Sequence, residues 1–260
     1  MFTYLNNLLQ YRELLYFLVL REIKAKYKQT VLGIAWSILQ PLCMMTVFTV
    51  VFSFFAKLPS DGVPYAVFAY CALLPWQFFA GVLGKGVGSL LSNQNLVQKV
   101  YFPREIIPFA ITLSAIVDFA IGGGVFFGLL WFYGVPIGFH SLAIVPVFII
   151  QVIFVLGLIL VLSPMNVFYR DVSHIIPLLI QVWMYATPII YPLSIVPERF
   201  RTFYLLNPMA GVIDGYRKIL LHQTAPDFGA LLLAALVSCA TFVAGLLYFK
   251  HVEFKLPDVM

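Results

Sequence analysis

Long apolar runs separated by short polar islands set the pattern of this chain. The runs cover residues 33–55, 67–91, 108–133, 142–162, 175–191 and 228–249. A hydrocarbon core of about 30 Å takes roughly 20 helical residues to cross. Most of the runs reach that length; 175–191 is the short one. None alternates polar and apolar residues as the strands of a membrane barrel do, so the pattern predicts helices. Pro41 lies inside the first run and is expected to kink it. Gly84 and Gly88 give the second run a GxxxG spacing that permits close helix approach, and Lys85 beside them can snorkel to the near membrane face.

The polar segments differ from one another. Residues 4–29 are amphipathic, with Arg12, Glu13, Arg21, Glu22, Lys24, Lys26 and Lys28 interrupting the apolar positions. A charge at the bilayer centre costs roughly 2.5–3.5 kcal/mol on insertion scales, so this stretch does not span. It suits a helix in the membrane interface with its basic face toward anionic lipid; a solvated connector is the other reading. The first 32 residues are too charged for a cleavable signal peptide. Two further islands carry charge between apolar runs: NLVQKVYFPREIIP at residues 95–108, and SPMNVFYRDVSH at 163–174. The segment 192–227 has helix-like apolar spacing broken at Asn207–Pro208. It reads as two half-helices that dip into the outer leaflet and return, or as a loop helix lying on the surface.

Composition agrees with lipid as the main solvent. The chain of 260 residues is 62% hydrophobic and 10% charged, against about 45–50% apolar and 25% charged in soluble domains. The net charge of +5 belongs to membrane flanks rather than to a nucleic-acid surface, since no basic patch is interleaved with aromatics. With the N-terminus in the cytoplasm, eleven Lys and Arg fall inside and five outside. The positive-inside rule therefore places both termini and both charged islands in the cytoplasm.

The chemistry present is sparse. There is no GxxxxGK[ST] phosphate loop, HExxH or GxSxG, so ATP hydrolysis by the phosphate-loop route is not expected of this chain. Cys43, Cys71 and Cys239 are scattered, the four histidines fall in separate segments, and no metal site is expected. Asp118 is the sole acid in mid-run. An intramembrane carboxylate is functional or paired; Lys85 on the neighbouring run is the expected partner, with proton coupling as the alternative. Trp36, Tyr70, Trp76, Phe78, Gln181 and Tyr185 are candidates for lining a pathway, where rings stack on sugars. Interfacial anchoring is the competing reading for any one ring.

Four segments carry a family likeness: REIKAKYKQTVLGIAWSILQP (21–41), NLVQKVYFPREIIP (95–108), NVFYRDV (166–172) and LLNPM (205–209). In this order and on this layout, the chain resembles the membrane subunit of type-2 ABC exporters that move polysaccharide (O-antigen, capsule or teichoic acid). The resemblance implies an all-α integral membrane protein with six transmembrane helices. It adds an N-terminal amphipathic interface helix (1–32), a cytoplasmic coupling helix (93–107), an outer re-entrant helical hairpin (192–227) and a cytoplasmic tail (251–260). It implies a homodimer in the bacterial inner membrane, two copies of an ABC ATPase subunit that carry the ATP and Mg, and a lipid-linked polysaccharide as cargo. It places ATPase contacts at Arg21, Lys24, Tyr27, Asn95, Lys99, Pro103, Arg104, Glu105, Arg170 and Asp171, and an outer gate at Asn207 and Pro208. A drug or small-lipid permease on the same fold is the alternative. A membrane enzyme acting on lipid-linked sugars would need clustered acids or histidines, which the sequence lacks.

Overall fold

The computed structural model describes residues 10–28, 33 and 35–260. The predicted beginning of the amphipathic helix (4–9) and most of its link to the first run (29–32) lie outside the described residues. Every regular element among the described residues is helical. The amphipathic helix is α1 (Arg12–Tyr27), and the first run is α2 (Ala35–Phe48), which widens into π-helical turns over Thr49–Phe55. The second run is α3 (Tyr65–Val87), and the first island forms the short helix α4 (Gln94–Lys99). Then follow α5 (Ile106–Phe132), α6 (Ile144–Phe168), α7 (Val172–Tyr185), α8 (Glu198–Leu205), α9 (Pro208–Leu220) and α10 (Phe228–Val252).

Among the described residues, five segments are long and apolar enough to cross a membrane: Ala35–Phe55, Tyr65–Val87, Ile106–Phe132, Phe139–Phe168 and Phe228–Lys255. The predicted run 175–191 differs. Its helix, α7, has 14 residues, about 21 Å at 1.5 Å per residue, and stops at Tyr185. Pro188 disfavours helical geometry in the residue before it, and the chain continues in turns to Tyr191.

Helix α3 is the hub. Its residues Val67–Leu73 are all but fully buried, and α2, α5, α6, α7 and α9 pack around it. Apolar residues occupy every face of α3 from Tyr65 to Trp76, so this half has no polar side to turn outward and takes the centre. Polar contacts run through this core as well: the Gln151 amide donates to the Pro75 carbonyl at 2.6 Å and accepts from the Tyr216 hydroxyl at 3.4 Å.

Small residues set the closest helix pair, although not where the GxxxG spacing predicts. Gly84 and Gly88 meet no neighbouring helix; Gly84 is exposed. Within α3 it is Gly86 that packs tightly, against Ile159 of α6. The tightest crossing joins α6 and α10. A Cβ on Gly157 would lie 2.6 Å from the Phe242 backbone nitrogen, and one on Gly245 would lie 2.4 Å from the Gly157 carbonyl oxygen. Two backbones that touch in this way form one stiff unit.

The polar tail 251–260 is not a free end. The chain stays helical beyond α10 through Glu253–Lys255 and Leu256–Val259, and Leu256 is fully buried.

Candidate functional site

Both charged islands lie at one end of the bundle, gathered on a second apolar cluster separate from the α3 core. Leu18 of α1, Val97 of α4, Phe102, Ile106 of α5, Leu160 and Val167 of α6, Phe249 of α10 and Leu256 make up this cluster. The first island is amphipathic across its width. Val97 and Phe102 point into the cluster, whereas Asn95, Gln98, Lys99, Val100 and Tyr101 are exposed, Tyr101 at 85%. Asn93, at the N-terminus of α4, is buried; its amide donates to the Ser89 carbonyl at 2.8 Å and accepts from Arg21 of α1 at 2.6 Å. The amphipathic helix and the island are therefore pinned together.

Arg104 and Glu105 depart from the docking role expected of them. The island turns inward after Pro103 to start α5, whose first turn is buried, and both charges turn with it. The Arg104 backbone N–H donates to the Glu253 carboxylate at 3.0 Å, and its guanidinium donates to the Glu253 carbonyl. Glu105 is fully buried, and Lys250 of α10 reaches it at 2.6 Å while also pairing with Glu253 at 3.0 Å. Burial pushes the Glu105 carboxyl above its ordinary range, and the Lys250 ammonium pulls it part of the way back. The N-terminus of α5 also favours a carboxylate there.

The remaining expected contacts are open to solvent. Arg21 is half exposed and also pairs with Glu22 at 3.1 Å; Lys24 is exposed. In the α6–α7 turn, Arg170 and Asp171 are exposed beside Tyr169. Asn166 fixes that turn by accepting the Ser173 backbone N–H at 3.0 Å. Val167, one turn from Arg170, belongs to the same apolar cluster as the first island.

Asp118 is paired, but not with Lys85. Its carboxylate accepts from Lys26 at 2.7 Å, from Ser37 at 2.9 Å and from the Tyr27 hydroxyl. Helix α1 runs along α5 and brings Lys26 and Tyr27 to it, a neighbour that helix order alone does not specify. Tyr27 thus faces inward rather than toward a partner. Lys85 lines the adjoining cavity of about 550 Å3, which also touches Lys26, Gln40, Trp76, Gln77, Phe78 and Asp118.

Other pathway candidates separate in the same way. Tyr70 is fully buried, stacks on Phe126 and donates to the Gly122 carbonyl at 3.2 Å, so it is a core residue. Trp36 on α2, and Gln181 and Tyr185 on α7, are exposed.

At the opposite end, Asn207 organises the junction between α8 and α9. Its side chain caps α9 by accepting the Met209 N–H at 3.1 Å, accepts the Trp183 indole N–H at 3.1 Å, and donates to Thr187 at 3.0 Å. Pro208 follows in the first turn of α9, where its missing N–H is harmless. Helix α9 is buried over most of its length, against α3, α6 and α10; a helix lying on the surface would expose one side.

Arg217 of α9 is a functional candidate that sequence reasoning passed over. It is 4% exposed, donates to the carbonyls of Pro188 at 2.6 Å, Ile189 at 2.7 Å and Tyr191 at 3.1 Å, and sits 3.6 Å from the Phe68 ring centre. A lone Arg on an otherwise apolar helix face was the available signal. Lys250 and Glu253 were also missed; an i,i+3 pair near a terminus looks like an ordinary solvated pair. Among the described residues, no three His, Cys, Asp or Glu side chains gather closely enough to hold a metal ion.

Residues 13–221 match the ABC-2 type transporter family. The chain is 33% identical over 240 residues to the O-antigen export system permease protein RfbA of Myxococcus xanthus, covering 92% of each. A Klebsiella pneumoniae O-antigen export system permease protein RfbA is 27% identical over 258 residues, 95% of each. The polysialic acid transport protein KpsM of Escherichia coli is 22% identical over 240 residues, 91% of this chain and 92% of that one. A helical bundle with two charged loops gathered at one end, matched along most of its length, belongs to the ABC-2 type transporter family.

Proposed function

We propose that this chain is the membrane permease subunit of an ATP-driven exporter that moves a polysaccharide out of the cytoplasm. The observation that carries the reading is the set of relatives, aligned over nine tenths of the chain and named as O-antigen export permeases and a polysialic acid transport protein. The cargo is a lipid-linked polymer; a conduit for such a chain needs no tight site, because strong binding would stall threading. Energy arrives from an ABC ATPase that carries ATP and Mg. Its docking face is the exposed strip Asn95–Tyr101 with Tyr169–Asp171 beside it, and with Arg21 and Lys24 at the margin. Basic residues concentrate at this end, so it faces the cytoplasm together with both termini.

Two copies of the chain enclose the pathway, with two ATPase subunits below. The exposed faces of α2 and α7, bearing Trp36, Gln181 and Tyr185, serve the pathway and the second copy. The short helix α7 and the turns up to Tyr191 make the sixth crossing, and α8 and α9 form the re-entrant hairpin at the outer mouth, gated at Asn207 and Pro208.

Deletion of the gene tests the reading. The expected phenotype is loss of one surface polysaccharide with its lipid-linked form accumulating inside, restored by this chain together with its ATPase. Unchanged surface polymer accompanied by drug sensitivity would overturn the proposal and favour a small-molecule permease.

A further inference from the structure

The C-terminal turn makes more contacts with the first island than a tail needs. Glu253 holds the Arg104 backbone and guanidinium, Lys250 holds the buried Glu105, and Leu256 completes the apolar cluster under Val97 and Phe102. The island is thereby fixed at three places: Asn93 to Arg21, Val97 and Phe102 to the cluster, and Arg104–Glu105 to Glu253 and Lys250. Its exposed face hangs between these anchors. Helix α10, which carries Lys250, touches α6 backbone to backbone at Gly157 and Gly245, and α6 ends in the second exposed turn, Tyr169–Asp171. Both exposed loops are thus mounted on one stiff body.

We propose that Lys250 and Glu253 are positioning residues: they clamp the first island to the α6–α10 pair, so that the island and the α6–α7 turn move together when pushed. A buried Glu105 held by the Lys250 ammonium suits this task. Removing Lys250 strands the buried Glu105 charge, so the segment resists rocking about Asn93 and Pro103. The role in coupling rests on the proposed docking of an ATPase at this face; the clamp itself does not.

Two measurements separate the clamp from the docking reading. Spin labels at Gln98→Cys and Arg170→Cys, on a chain whose native cysteines are replaced, report the island-to-turn distance in the permease alone in lipid nanodiscs. The double variant Glu105→Gln/Lys250→Met neutralises Glu105 together with its partner and leaves Glu253 its bond from the Arg104 backbone N–H; a single sharp size-exclusion peak checks that it folds. This variant is expected to broaden the distance distribution at least twofold, with Lys250→Arg retaining the narrow one. A narrow distribution in the double variant overturns the clamp, whatever the ATPase does. With the ATPase bound, the double variant is expected to keep normal co-purification while polymer exported per ATP falls severalfold. Unchanged export per ATP overturns the role in coupling. Normal ATPase association of a Lys99→Glu/Tyr101→Glu variant would count against the docking face instead, and leaves the distance result to stand alone.

Discussion

Replacing Arg217 by Met tests whether a buried cation holds α9 to the turns after α7. The guanidinium serves three carbonyls, those of Pro188, Ile189 and Tyr191, in the turns after α7, and packs on Phe68 of the central helix. Methionine fills much of the volume and provides no donor. A stranded buried acceptor costs about 1–3 kcal/mol, and a desolvated cation–π contact is worth about 2 kcal/mol. Taking only the low end for three carbonyls gives a loss of about 3 kcal/mol in local stability. Cys71 is the reporter: it lies one turn beyond Phe68, is 1% exposed, and can be the sole thiol once the exposed Cys43 and Cys239 are changed to Ser. If labelling requires opening of this end, about 3 kcal/mol raises the rate roughly a hundredfold, at 1.4 kcal/mol per decade. Arg217→Lys is expected to fall between, since a point ammonium cannot span three carbonyls as a planar fork does. Wild-type labelling rates in Arg217→Met would refute the strut.

Gly157→Leu and Gly245→Val are expected to abolish folded, monodisperse protein on size exclusion, because backbone lies within 2.6 Å of the added carbon, whereas Gly84→Ala is tolerated. Asp118→Asn is expected to free α1, read as faster proteolysis or labelling near Lys26, while Lys85→Met leaves α1 in place. The Glu105 carboxyl titrates above its ordinary value of 4.5. Between 4.5 and the raised value the native state holds more protons than the unfolded one, so this group raises stability as pH falls. Melting of Glu105→Gln against pH is expected to lack that contribution; identical profiles would contradict the burial argument.

Element type was readable from the sequence because a bilayer allows few solutions. Runs of some twenty apolar residues become helices, and the five long segments fall close to the predicted runs. The break at Asn207–Pro208 and the helical island at 94–99 were readable for local reasons: an Asn cap with Pro in the first turn, and a short amphipathic stretch. Partner choice was not readable in the same way. Helix order points to Lys85 on the neighbouring run as the cation for Asp118. Only the packing of α1 along α5 decides for Lys26. Likewise Arg104 and Glu105 resemble solvated charges until α10 brings Lys250 and Glu253 beneath them.

Taken alone, the sequence determines that this is a helical membrane protein with charged loops at one end, and it carries none of the phosphate-loop, HExxH or GxSxG patterns. Hydropathy and charge are local quantities summed along the chain, and they suffice for that much. Which side of each helix meets another, and which charge meets which, is decided by tertiary contact. Gly86 and Gly157 rather than Gly84 make the close approaches, Tyr70 is core rather than pathway, and a polar tail becomes a clamp. In lipid nearly every face of a helix is apolar, so the sequence offers little polarity to tell inside from outside, and close packing with scarce polar contacts makes the choice.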